Sequence, residues 1–276
     1  MKGAATMRIL ISADMEGISG VCAPEQTHPG SSEYERARLL MTEEVNAAVE
    51  GALEGGASEV WVVDGHGAYR NLLIEKLHER AALVSGKPRL FGMMAGIDCG
   101  PWHGVFMIGY HARAGAAGVL AHTINGGVFA EIRVNDEPVG EYFLNGVLAG
   151  AFGAPVRLLS GDDCLAAESS IVFPSAEIVT VKRALGNRAA VHLSPAMAHQ
   201  ALREGAYRAM SCNVEPLILE GPFSVRIDAV RSFHADLFAM APGVERVSPM
   251  CVGFEAETPA VMCRLLNSLS AMAASL

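Results

Sequence analysis

Met7-Arg8-Ile9-Leu10-Ile11-Ser12-Ala13-Asp14-Met15-Glu16-Gly17 is an apolar run that stops on two carboxylates and a glycine. A run of that length and composition is a strand buried on both faces. Ser31 to Gly55 follows, with Leu39, Leu40, Val45, Ala48, Val49 and Leu53 at helical spacing, a Ser-Ser-Glu-Tyr-Glu start and a Gly55-Gly56 stop. That pattern predicts a long amphipathic helix. Glu59 to Val63 and His103 to Gly109 are two further strand-like runs. Strands alternating with helices predict an α/β fold, layered α/β/α around a central mixed sheet. Open sheets of this kind bind ligands at the carboxyl ends of their strands. Three strands here end on candidate ligands: Asp14 with Glu16, His66 in Asp64-Gly65-His66-Gly67, and His111 after Tyr110.

Further along, Val128 to Val134 with Asn135-Asp136-Glu137-Pro138 is a strand and turn. Val139 to Phe152 is a helix opening on Gly140-Glu141, and Pro155 to Leu159 is a strand ending in Gly161-Asp162-Asp163. Beyond about Glu168 the signals weaken. Short strands are predicted at Ile178 to Val181 and Phe223 to Ile227, and helices at Pro195 to Met210, Val230 to Met240 and Thr258 to Leu276. The whole chain, 1–276, is read as a single α/β catalytic unit with a smaller C-terminal subdomain from about residue 190. Gly186-Asn187 and Asn213 to Pro216 are the most turn-rich breaks.

Hydrophobic residues make up 51% of the chain and charged residues 18%, a balance that builds a packed core rather than a disordered tail. The formal charge is -9 and no Lys/Arg stripe is present, which argues against a grip on nucleic-acid phosphates. The six cysteines show no CxxC pairing and read as buried thiols of a reducing compartment. The N-terminal apolar run is too short for a signal peptide or a membrane span, so the expected location is cytoplasmic, with no membrane partner.

Asp14 and Glu16 sit two positions apart on an extended chain and point the same way. His66 lies between glycines that permit close approach. His111 and His122 flank the small-residue loop Ala114 to Gly118, too far apart for the i, i+4 pairing of a helical zinc motif. Glu141 falls in the first turn of a helix, where a carboxylate complements the helix dipole. Taken singly, each has a plainer reading as a turn, cap or solvated residue. Together, three carboxylates and two histidines with His122 nearby exceed what one zinc takes and fit two metals sharing a carboxylate.

Ser12-Ala13-Asp14-Met15-Glu16-Gly17-Ile18-Ser19-Gly20 resembles the SxDxEG motif of the DppA-type D-aminopeptidases. The likeness continues in order through Tyr34 to Glu44, Asp64-Gly65-His66, Gly109-Tyr110-His111-Ala112-Arg113, Ala121-His122, Val134 to Glu141, Gly161-Asp162-Asp163 and Leu193-Ser194-Pro195-Ala196. The resemblance implies two zinc ions per chain, held by Asp14, Glu16, His66, His111 and Glu141, with His122 as the catalytic residue. It also implies release of an N-terminal D-amino acid from short peptides such as D-Ala-D-Ala, and a large ring-like homo-oligomer, read here as a decamer. Within it, Asp14 is expected to bridge the two metals, and Asp64 and Asn145 to orient ligands from behind. The pattern departs from the family at the N-terminal extension Met1 to Thr6, at Asn125 to Ala130 and across much of the last third, where substrate-shaping loops vary. Two other readings stay open. One is a dinuclear amidohydrolase or phosphoesterase acting on another small substrate, the latter disfavoured by the missing phosphate cradle. The other is a non-enzymatic peptide-binding transport component.

Overall fold

In the computed structural model, residues 6–274 are described. The N-terminal extension, apart from Thr6, and the last two residues of the predicted closing helix lie outside them.

The opening run forms β1 (Arg8–Ala13), and its side chains alternate. Ile9, Ile11 and Ala13 enter one hydrophobic cluster, while Leu10 enters another on the opposite face. In chain order the elements after β1 are α1 (Ser32–Glu54), β2 (Glu59–Asp64), β3 (Ala81–Val84), β4 (Gly104–Ile108), β5 (Phe129–Val134), β6 (Glu137–Pro138), α2 (Glu141–Ala151) and β7 (Val156–Asp162). They continue as α3 (Asp163–Val172), β8 (Glu177–Gly186), β9 (Ala189–His192), α4 (Pro195–Ser211), β10 (Phe223–Ala229), α5 (Ser232–Phe238), β11 (Glu245–Ser248), β12 (Cys251–Ala256) and α6 (Pro259–Ala273).

Seven strands form the central sheet in the order β3-β2-β1-β4-β7-β8-β9, parallel except where β9 runs back along β8. The expected mixed α/β architecture is therefore present. α1 starts on the Ser31 cap, whose side chain accepts from the Tyr34 amide, and it packs with α4 over one face. α2 lies on the other face. Nine of its eleven residues are buried, so it is covered all round, against the central sheet on one side and α6 on the other.

A second, five-stranded antiparallel sheet, β11-β12-β10-β5-β6, was not anticipated. Its inner side chains, among them Phe129, Ile132, Val225, Ile227 and Phe254, join the cluster that contains α2 and α6. β5 turns into β6 through Asn135 and Asp136 at φ of 52° and 69°, the mirror-type hairpin turn these two residues favour. At the predicted Gly186-Asn187 break the chain also makes a hairpin, with Asn187 and Arg188 in the turn between β8 and β9. Elements beyond residue 190 divide between the layers: α4 covers the central sheet, whereas β10, β11 and β12 pair with one another and with β5. Among the described residues no helix is long and apolar enough to cross a membrane.

Candidate metal centre

β1 lies between β2 and β4, so the ends of three neighbouring parallel strands open onto one crevice. The exits of β1 and β4 interlock. The Asp14 amide donates to the Ile108 carbonyl at 2.8 Å and the Gly17 amide to the Gly109 carbonyl at 2.7 Å. A Cβ on Gly17 would stand 2.0 Å from the Tyr110 carbonyl oxygen, so only glycine permits this approach.

The crevice gathers all six residues singled out from the sequence. His66 Nδ1 lies 2.9 Å from Glu16 Oε2 and 3.3 Å from Asp14 Oδ1. His111 Nε2 lies 3.4 Å from both Asp14 Oδ2 and Glu141 Oε1. His122 Nε2 is 3.9 Å from the same Glu141 oxygen, and its ring stacks on that of His111 at 4.1 Å. Asp14, Glu16, His111 and Glu141 are buried, while His66 and His122 are partly so.

Main-chain carbonyls orient the imidazoles. His66 Nε2 meets the Thr27 carbonyl at 2.8 Å, His111 Nδ1 that of Ala112 at 3.0 Å, and His122 Nδ1 that of Leu120 at 2.9 Å. A carbonyl only accepts, so each of these nitrogens carries the hydrogen and the other nitrogen of each ring is turned toward the carboxylates. Glu141 opens α2 and accepts the Ile124 amide at 2.6 Å. Ile124 reaches it only at a φ of 62°, a strained angle for a β-branched residue, and Leu120 is also left-handed at 52°.

The charges are matched. Burial disfavours the ionised Asp14 carboxyl, but hydrogen bonds and charge from His111 and His66 outweigh it and hold the carboxyl well below its usual value. Glu16 is lowered in the same way, burial opposing and His66 prevailing. Burial pushes His66 and His111 down, yet the facing carboxylates raise both well above the ordinary histidine range.

The donor set fits divalent metal. Glu16 Oε2 and His111 Nε2 are buried without a properly angled hydrogen bond, although each has an oppositely charged group close by. Lone pairs that converge side by side rather than pointing at one another are what a shared cation requires. Two atoms each about 2.0–2.1 Å from a tetrahedral zinc stand about 3.3 Å apart, the spacing of His111 Nε2 from its two carboxylate neighbours. Two overlapping groups bring one ligand atom per residue within 4.8 Å of one another, Asp14, Glu16 and His111 in one and His111, His122 and Glu141 in the other.

Two expectations about supporting residues need correction. Asp64 does not touch the His66 ring; its oxygens accept from the amides of Asn71 and Leu72 and from the Asn71 side chain, which also donates to the His66 carbonyl. It braces the loop that carries His66. Asn145 donates to the Tyr110 hydroxyl at 2.9 Å, and that hydroxyl also pairs with Ser12, so its partner is the neighbour of a candidate ligand and not a ligand. Lys182 was not singled out at all. It is buried, and its ammonium donates to the carbonyls of Glu16, Ile18 and Val21, fastening the loop after β1. A lysine directly after a short apolar run reads as a strand exit into water, which is why the sequence hid it.

Residues 7–268 match the peptidase M55 family, described as D-aminopeptidase. The chain is 37% identical over 254 residues to a D-aminopeptidase of Bacillus subtilis strain 168, covering 91% of this chain and 92% of that protein. Its fold superposes with a TM-score of 0.92 on the structure of the Zn-dependent D-aminopeptidase DppA from Bacillus subtilis, described as a self-compartmentalizing protease, at 34% identity over 98% of this chain and 99% of the other. With that breadth of agreement, from the opening strand to the closing helix, the chain belongs to the M55 family of D-aminopeptidases.

Proposed function

We propose that this chain is a zinc-dependent aminopeptidase that removes the N-terminal residue, a D-amino acid such as D-Ala, from short peptides. The observation that carries this reading is the division of one carboxylate. Asp14 Oδ1 faces His66 while Oδ2 faces His111, which suits a carboxylate bridging two ions. Asp14, Glu16 and His66 would hold one zinc, and Asp14, His111 and Glu141 the other. When bound, such ions acidify a water nucleophile and polarise the scissile carbonyl.

The protein's own groups do the rest. The free, deprotonated α-amino group of a peptide would be held at one of the two ions, which would confine attack to the N-terminal bond. His122 keeps its Nδ1 hydrogen on the Leu120 carbonyl and presents the Nε2 lone pair to the cavity, where it takes the proton given up by the attacking water and passes that proton to the leaving amine. A cavity of about 910 Å³, lined by these groups and by α6, encloses the reacting bond. The family likeness further supports a ring-like homo-oligomer, a decamer. The described cysteines, all free, fit a cytoplasmic setting.

The test is purified, zinc-loaded protein assayed on D-Ala-D-Ala and L-Ala-L-Ala, with chelator-treated and Glu16→Ala controls and metal counted by mass spectrometry. D-selective, chelator-sensitive release with about two zincs per chain is expected. Release that ignores chelation, or shows no preference for the D-peptide, overturns the proposal.

A further inference from the structure

One wall of the cavity is formed by the segment between β3 and β4, which contributes Lys87, Pro88 and Arg89. Lys87 Nζ stands 4.4 Å from the centroid of the Tyr69 ring and the Arg89 guanidinium 3.9 Å from the same centroid. Arg89 is fixed there by main-chain bonds, Nη1 to the Val84 carbonyl at 3.1 Å and Nη2 to the Asp64 carbonyl at 2.6 Å. Lys87 has no such tether. Among the described residues its ammonium has no hydrogen bond and no carboxylate partner, whereas the Arg89 charge is eased by the Asp64 carboxylate and by Tyr69. Two like charges therefore stand over one aromatic ring, and burial, with the nearby Arg89 charge second, lowers the Lys87 ammonium. Asp14, Glu16 and Glu141 line the same space as Lys87 and Arg89, and Arg188 adds a third cation to the lining.

A short peptide is a zwitterion, positive at the end to be cut and negative at the other. The cavity that holds the proposed metal centre also carries, on its lining, an ammonium with no anionic partner, which is free to meet the negative end. We propose that Lys87, held up on Tyr69 beside Arg89, anchors the C-terminal carboxylate of the peptide, so that the enzyme selects short substrates by both ends. Arg89 acts as a positioning residue: its bonds to Val84 and Asp64 keep Tyr69 and the cation site in place, leaving the three N–H groups of Lys87 for the ligand. This inference rests on the aminopeptidase reading above and adds to it the group that measures substrate length.

The experiment compares D-Ala-D-Ala with its C-terminal amide, which removes only the negative charge. Wild-type zinc-loaded enzyme is expected to favour the free acid by about 10- to 100-fold in kcat/KM, the usual weight of a charge-assisted hydrogen bond. In Lys87→Met the ratio of free acid to amide falls to about one, with the loss in KM rather than kcat, and Lys87→Arg restores most of the preference. Calorimetric binding of both peptides to wild-type and Lys87→Met protein separates the two layers of argument. If neither peptide is cleaved but the free acid alone binds more weakly to Lys87→Met, the reaction assignment fails and the anchor stands. A wild-type enzyme indifferent to amidation, or a Lys87→Met variant that keeps the wild-type ratio in turnover and binding, overturns the anchor.

Discussion

His122 is held differently from the other two histidines of the crevice. His111 is 2% exposed and stands between two carboxylates, whereas the His122 side chain is 24% exposed, stacks on His111 and meets only the edge of Glu141 at 3.9 Å. It sits within a segment strained at Leu120 and Ile124, and such strain is retained where the geometry it enforces is needed. A proton donor must touch substrate, and among the three histidines this one combines exposure with a free Nε2. His122→Ala is therefore expected to lower kcat by about 10²–10⁴-fold while leaving bound zinc unchanged. Full turnover with zinc in place removes His122 from the chemistry, and lost zinc would make it a ligand instead. The candidate residues were legible because each stands just past an apolar run, where the chain leaves the sheet. Their orientation was not legible, since the carbonyls of Thr27, Ala112 and Leu120 that fix each ring are main-chain atoms with no residue signature.

Between elements, the loop after β1 is clamped from both sides. Lys182 of β8 binds three of its carbonyls, and Glu44 of α1 accepts the Ser19 amide at 2.8 Å. Burial pushes the Glu44 carboxyl up from 4.5 to about 8, against the opposing pull of the Ser19 amide and Lys182. Between those two values the folded chain keeps a proton that the unfolded chain releases, so Glu44 costs stability as pH rises through the window. Lys182, lowered by burial to about 8, works above that window and in the opposite sense. Glutamine keeps the Ser19 bond and cannot ionise. The stability of Glu44→Gln relative to wild type, from urea unfolding, is expected to rise by about 1–4 kcal/mol between about pH 5 and pH 8. A relative stability that stays flat over that range would show that Glu44 is ionised against Lys182. The same scale explains what periodicity could and could not reveal. β1, α1, β2, β4 and α2 are long or strongly apolar and were predicted within a few residues. β3, β9 and β11 are four-residue strands without a fully buried face, below what alternation can signal. The second sheet pairs β5 with β10, about ninety positions later in the chain, and such register leaves no local trace.

In the whole molecule the proposed metal centre would join two layers. Asp14, Glu16, His66 and His111 come from the central sheet, but Glu141 comes from α2, which is wedged between that sheet and the layer of α6 and the second sheet. In the metal-free protein two raised histidines offset the carboxylates, a weaker fastening than two divalent ions shared by side chains of both layers. Binding confined to the folded state adds RT ln(1 + [L]/Kd), about 2.7 kcal/mol at a hundredfold excess over Kd, which for a chain of this size is a rise of about 5–10 °C in Tm. Chelation should thus lower the Tm of wild-type protein by that amount, and zinc should restore it. Glu141→Gln would remove the helix-side ligand of the proposed ion that spans both layers, whereas Glu16→Ala would leave the Asp14, His111 and Glu141 set intact. The Tm of Glu141→Gln should therefore respond to chelator much less than wild type, and that of Glu16→Ala should keep part of the response. If chelator shifts Glu141→Gln as much as wild type, α2 is not tied through the metals, and the two layers are joined by their shared apolar cluster alone.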